Sequence, residues 1–274
     1  MGIKPEDALK HLARQSGAQA ETSAGSALEM TVAEGAMTQG AAAGTGGALS
    51  EADREREIQA SISASYFGLR RGLAVLAFAL PILLWLVVGY DNLRGSISVY
   101  YHYVYPLADP VVYGAGAARD IMVGILCAAG AALFFYKGYG WKENLALNIG
   151  GIAAVLVAIA PMDWPSQPER SFLSVTHLAA AIIFFLAIAF VCLFCSRDTL
   201  ALLRDDARRA RFKRLYAVLG TLMVVLPLAV VGYHGLFPRE GENYVTFFVE
   251  VAAIYVFATF WVVKSKEIDA IQRQ

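Results

Sequence analysis

Six long apolar runs follow one another along this chain, beginning near Arg71 and ending near Lys264. Each run is apolar around the whole circumference of a helix, which is the pattern of a helix that contacts lipid on several faces. A bilayer core of about 30 Å requires roughly 20 helical residues. The runs therefore predict an all-α fold, a bundle of six transmembrane helices over approximately 72–90, 120–137, 144–162, 173–195, 214–234 and 244–263.

The N-terminal part of the chain has a different composition. Residues 1–65 contain no Phe, Trp or Tyr, and most of the stretch from Gln15 to Ser50 is Ala, Gly, Ser and Thr. Such a segment buries too little apolar surface to offset its ordering entropy, and it has no signal-peptide core. We expect a flexible cytoplasmic tail over 1–65 and a membrane domain over 66–274. Ser50 and Asp53 resemble a capping pair, which predicts a short helix from about residue 50.

Composition agrees with a membrane protein and narrows the set of partners. The chain is 57% hydrophobic and 17% charged, against about 25% charged residues in soluble domains. Its 23 basic and 23 acidic residues cancel, which excludes a nucleic-acid partner held by bulk positive charge. Fourteen basic residues fall in the connections on one side of the predicted bundle and four in those on the other. This asymmetry predicts cytoplasmic termini and a protein integral to the plasma (inner) membrane.

Small residues recur along the second and third predicted helices and let two helices approach closely. They are Gly124, Ala128, Ala131 and Ala132 in one helix and Gly150, Gly151, Ala153 and Ala154 in the other. Asn144 and Asn148 lie on one face of the third helix. We therefore expect a tight pair of helices with asparagine side chains bonding across it.

Three histidines are predicted on the membrane face opposite the basic connections: His102, His177 and His234. Three imidazoles from separate segments predict a zinc site with an open position for water. Two alternatives remain: polar residues that collect where the membrane meets water, and a haem held by His177 and His234.

Two carboxylates accompany these histidines. Glu250 lies roughly 9 Å below the outer end of its predicted helix, where an ionisable residue is a functional hypothesis by default. Its alternative role is that of a buried neutral carboxyl that donates a hydrogen bond. Asp120 opens the second helix, and it is either a functional acid or a helix cap paired with Arg119.

A short motif adds a serine to these candidates. Ser98 stands four residues before His102, Asp120 opens a later helix, and further histidines follow. This order resembles the CREST membrane hydrolases, the superfamily that includes the alkaline ceramidases. The resemblance implies zinc held by three histidines, with His102 as one metal ligand, Ser98 as the nearby serine and Asp120 as the aspartate.

Two classes of function follow from these residues. In the first, a metal-activated water, with Asp120 or Glu250 as general base, attacks an amide or ester of a lipid in the outer leaflet. In the second, the bundle is a transporter, a sensor or an accessory subunit of a membrane complex, and Glu250 is a proton, cation or structural site. The expected partners are the lipid bilayer, a lipid substrate, and partner membrane subunits or a second copy of the chain.

Overall fold

The computed structural model describes residues 50–89, 93–102, 116–163, 171–236 and 244–274, with the backbone alone at His234 and Gly235. These residues are helical, with no strand among them, and the all-α prediction is confirmed. Six of their helices are long and apolar enough to span a membrane. They are α1 (Glu51–Val88), α2 (Ala117–Phe135), α3 (Trp141–Ile159), α4 (Phe172–Leu200), α5 (Asp206–Leu236) and α6 (Val245–Gln272).

Three helices extend about eight or more residues beyond the apolar runs that predict them. α1 begins at Glu51, α5 begins at Asp206, and α6 ends at Gln272. The additional turns are rich in Glu, Arg, Lys and Ala, which favour helix but lower the hydropathy of the segment. Hydropathy therefore locates the membrane-crossing part of each helix and misses its polar extension.

The chain divides into two units, a first that ends at Ala60 and a second that begins at Ser61. The described part of the first unit begins at Ser50, whose Oγ accepts a hydrogen bond from Asp53 N at 3.2 Å and donates one to the Asp53 carboxylate at 2.7 Å. The sequence predicts this capping pair. The remainder of the predicted tail, residues 1–49, lies outside the described residues.

Within the second unit, α2 and α3 form the close pair that their small residues predict. A Cβ atom on Gly151 would lie 2.6 Å from the Gly130 carbonyl oxygen and 2.9 Å from Phe134 N. With its amide nitrogen facing α2, Asn148 donates to the Phe134 carbonyl at 2.8 Å. The two backbones thus touch at a pair of glycines, and an asparagine bonds across the contact.

The close contact between α2 and α3 can be tested by substitution of a glycine. Gly151→Ala is expected to destabilise the bundle by about 1–3 kcal/mol, because the added methyl group meets backbone atoms that cannot move without separating the helices. Gly124→Ala in α2 is the matched control, since a Cβ atom there would meet nothing within 4 Å. Unfolding of both variants in mixed detergent micelles measures the difference. Equal stability of the two variants would contradict the close contact.

One end of the second unit contains the predicted histidines. At this end, called the histidine end, α1, α3 and α5 finish while α2, α4 and α6 begin. A short 3-10 helix, Ile97–His102, lies there between α1 and α2. Ile97 and the fully buried Tyr100 anchor it against Leu84 of α1, Met122 of α2 and Phe247 of α6. The opposite end is called the lysine end.

α4 contains a π-helical turn at Val191–Cys195, which accommodates one extra residue compared with an α-helix. The turn packs against α5 at Gly220, where a Cβ atom would lie 2.6 Å from Leu193 Cγ. Glycine is therefore required at this position for the bulged turn to fit against its neighbour.

Candidate functional site at the histidine end

Ser98 and His177 form a hydrogen-bonded pair at the histidine end. His177 Nε2 lies 2.9 Å from Ser98 Oγ, and its Nδ1 lies 2.7 Å from the Ala160 carbonyl oxygen. A carbonyl oxygen only accepts, so Nδ1 carries the proton and Nε2 of the neutral ring accepts from the Ser98 hydroxyl. His177 is buried and Ser98 is half-buried. A hydroxyl, a base and a group that orients the base are the components of an activated nucleophile.

The Ala160 carbonyl is available because α3 ends at Ile159. The last carbonyls of a helix have no partner within the helix and bond to other groups. His177 takes the Ala160 carbonyl, and His102 Nε2 lies 2.5 Å from the carbonyl oxygen of Met162. Two histidines from different segments therefore occupy the carbonyls that follow α3.

Hydrogen bonds also join the start of α4, the helix of His177, to the residues that follow α3. Ser171 caps α4 by accepting from Ser174 N at 3.1 Å. Its own backbone N donates to Asp163 Oδ2 at 2.8 Å, and its hydroxyl donates to Asp163 Oδ1. These hydrogen bonds lower the pKa of the Asp163 carboxyl and join Asp163 to the start of α4.

Glu250 of α6 binds the segment that carries Ser98. Its carboxylate accepts from Ile97 N at 2.6 Å and from Ser96 Oγ, which is 2.9 Å from both carboxylate oxygens. The Ser96 hydroxyl also accepts from Ser98 N at 3.1 Å. A continuous chain of hydrogen bonds thus runs from Glu250 through Ser96 and Ser98 to His177.

A second buried polar cluster lies at the lysine end. Lys264 Nζ lies 3.2 Å from Glu267 Oε2 and donates to Thr199 Oγ1 at 2.8 Å. The Tyr216 hydroxyl donates to Glu267, and the ammonium faces the ring of Tyr139 at 5.5 Å. We call these five residues the lysine-end cluster.

Two further buried charges adjoin this cluster. The Arg70 guanidinium donates to Tyr136 Oη at 3.1 Å, and Glu143 accepts from Tyr139 N at 3.0 Å. Tyr136 follows the end of α2, and burial raises its pKa to about 12, although Arg70 acts in the opposite direction. Tyr136 is therefore a neutral hydroxyl that accepts from a buried cation.

Comparison with known proteins identifies the family but no relative of known activity. A family model described as Protein of unknown function (DUF998) matches residues 72–264. The chain belongs to the DUF998 family. No curated protein and no solved structure matches it, and the resemblance to the CREST hydrolases gains no support. The matched range includes Ser98, His177 and Glu250, so the hydrogen-bonded chain lies within the family's domain.

In this DUF998 protein, three of the residues predicted from the sequence lie in one hydrogen-bonded network: Ser98, His177 and, through Ser96, Glu250. Asp120 does not join them: it is exposed at the start of α2 and pairs with Arg119 at 3.2 Å, as one alternative from the sequence expected, although Gly116 and not Asp120 is the N-cap of that helix. Ser96 was not predicted, because nothing in the sequence separates this serine from the others.

The metal site predicted at His102, His177 and His234 is not tested by the described part of this DUF998 chain. The described residues contain no group of three or more His, Cys, Asp or Glu side chains that could hold a metal ion. Both ring nitrogens of His177 make hydrogen bonds, to Ala160 O and to Ser98 Oγ. The side chain of His234 lies outside the described residues. Zinc and haem therefore remain predictions that rest on the sequence.

Proposed function

We propose that this DUF998 protein is a membrane-embedded acyl hydrolase in which Ser98 is the nucleophile and His177 is the general base. The proposal rests on the distance of 2.9 Å between Ser98 Oγ and His177 Nε2, and on the hydrogen bond of 2.7 Å from His177 Nδ1 to the Ala160 carbonyl oxygen. The backbone carbonyl acts as the third member of a triad, because it fixes the tautomer that leaves Nε2 free to accept a proton.

The reaction proceeds in two steps, acylation of Ser98 and hydrolysis of the acyl-serine. Ser98 Oγ attacks the carbonyl carbon of an ester or amide while its proton passes to His177 Nε2. His177 returns that proton to the departing alcohol or amine, and an acyl-serine remains. Water then attacks the acyl-serine, gives a proton to His177, and releases the carboxylic acid as the same proton returns to Ser98.

The position of the pair favours a lipid as the substrate. His177 is five residues into α4, or roughly 7 Å from the start of that helix. The polar zone on each side of a bilayer core is about 6 Å thick, so this depth matches the ester or amide linkages of lipids. Exposed apolar side chains, Phe172, Leu173 and Val175, surround the start of α4 and suit contact with acyl chains. The fourteen-to-four split of basic residues supports an outer-leaflet substrate.

A fluorophosphonate tests the proposal without knowledge of the substrate. Attack by Ser98 Oγ forms an O–P bond, breaks the P–F bond, and sends the proton to His177. Treatment of the purified full chain in detergent, followed by peptide mass spectrometry, is expected to find one adduct, on Ser98. Ser98→Ala removes the adduct. Ser65→Ala is the matched control, because the Ser65 hydroxyl bonds only its own helix, to Ser61 O at 3.0 Å.

A native chain that forms no adduct, or forms it on another serine, overturns the assignment. The absence of any adduct would favour the second class of function, a transporter, sensor or accessory subunit.

A further inference from the structure

Ser98, the proposed nucleophile, lies in a short 3-10 helix that its own hydrogen bonds stabilise only weakly. Ile97–His102 is a 3-10 helix of six residues, and its hydrogen-bond geometry is poorer than that of an α-helix. The first N–H groups of any helix lack partners within the helix. The position of Ser98 therefore depends on what binds the N-terminal end of this helix.

Glu250 supplies that partner from a different part of the chain. Its carboxylate accepts the Ile97 N–H at 2.6 Å and the Ser96 hydroxyl at 2.9 Å. The bond to Ile97 N satisfies an N–H group that the short helix leaves without an internal partner. The backbone adds one more link between the two elements, since Phe247 N donates to Gly95 O at 2.9 Å.

We propose that Glu250 is a positioning residue that aligns Ser98 with His177. This inference rests on the proposed function of the Ser98–His177 pair. Glu250 acts through the Ser96 hydroxyl and the backbone N–H of Ile97, and these hydrogen bonds do not include the Ser98 hydroxyl or the His177 ring. It therefore serves as the N-terminal cap of a helix in a distant part of the chain, and not as a general base.

Three variants measure the contribution of this cap. Glutamine retains an oxygen for Ile97 N but loses the charge, whereas alanine removes the acceptor. Small displacements of reacting groups cost about a hundredfold in rate, so the fluorophosphonate rate constant is expected to fall about tenfold in Glu250→Gln and about a hundredfold in Glu250→Ala. Ser96→Ala is expected to resemble Glu250→Gln. The control is Thr259→Val, because the Thr259 hydroxyl bonds only its own helix, to Tyr255 O at 2.7 Å.

The pH dependence separates positioning from chemistry. If Glu250 positions Ser98, Glu250→Gln lowers the rate but keeps a rate that rises with pH, because the His177 imidazole still has to lose its proton before it accepts from Ser98. Loss of the pH-dependent limb in Glu250→Gln would overturn the proposal and make Glu250 the base. A rate equal to that of the native chain in both Glu250 variants would also overturn it.

Hydrogen exchange tests the cap independently of any activity. Peptides that cover Ile97–His102 are expected to exchange faster in Glu250→Gln and Glu250→Ala, while peptides from α2 keep their native rates. Unchanged exchange at Ile97–His102 would overturn the inference. Faster exchange in a chain that forms no Ser98 adduct would reject the hydrolase and retain Glu250 as the anchor of this segment, so the two failures are distinguishable.

Discussion

His177→Ala is expected to slow modification of Ser98 by a fluorophosphonate by about 10²- to 10⁴-fold, the range that a positioned general base contributes. Without the imidazole, the Ser98 proton has no acceptor at 2.9 Å, and the hydroxyl attacks only through the small fraction that is ionised in water. The measurement is the second-order rate constant of adduct formation, followed by intact-protein mass spectrometry.

The pH profile of this variant distinguishes a lost base from a disturbed fold. In the native chain the rate rises as the imidazole loses its proton, because only the neutral ring accepts from Ser98. His177→Ala is expected to lose that dependence. A variant that is slow but keeps the native pH profile would contradict the role of His177 as the base.

The same assay separates the Ser98–His177 pair from the zinc hypothesis. If His102, His177 and His234 held one metal ion, alanine at each of them and a chelator would all reduce the rate similarly. We expect the large loss at His177 alone and little response to the chelator. Equal losses at the three histidines would contradict the proposal and favour zinc.

Glu267→Gln is expected to destabilise the protein by about 3–5 kcal/mol, the usual cost of removing one partner from a buried ion pair. The side chains of Lys264 and Glu267 are 2% and 0% exposed, so the variant leaves the Lys264 charge buried without its counter-charge. Unfolding in mixed detergent micelles, followed by tryptophan fluorescence, to which the buried Trp261 contributes, measures the effect.

A double variant and an exposed pair on the same helix serve as controls. Lys264→Met combined with Glu267→Gln is expected to cost less than the sum of the two single changes, because no unpaired charge remains. Asp269→Asn breaks the exposed pair between Asp269 of α6 and Arg273, which caps the C-terminus of that helix at 2.9 Å from Asp269, and is expected to cost about 1 kcal/mol or less. If Glu267→Gln and Asp269→Asn lower the free energy of unfolding by the same amount, burial does not set the contribution of the Lys264–Glu267 pair, and the prediction is wrong.

The helices and part of the histidine end could be predicted from the sequence for a simple reason. A span of about 20 apolar residues has few stable arrangements other than a transmembrane helix. An acid such as Glu250 within such a span attracts attention because burying it without partners is costly. The topology then brings Ser98 and His177 to the same end, although only the structure shows that they touch.

The lysine-end cluster and the two buried charges beside it were not predicted because their charged residues resemble ordinary interfacial charges. Arg70 and Lys264 count as basic residues that set membrane orientation, and Glu143 and Glu267 lie near the polar ends of helices. Periodicity within one helix does not reveal partners on another. Ser96 was missed for the same reason, since its role depends on a contact with Glu250, which is distant in the sequence.

The π-helical turn of α4 sets the rotational phase between the two ends of the protein. His177 precedes Val191–Cys195 and bonds Ser98, whereas Thr199 follows it and accepts from Lys264. One residue corresponds to about 100° of rotation in an α-helix. Without the additional residue, a helix that kept His177 against Ser98 would turn Thr199 away from Lys264 by about that angle. After a one-residue deletion within 191–195, α4 can therefore keep the His177–Ser98 contact or the Thr199–Lys264 contact but not both, although the deletion removes a side chain from neither site.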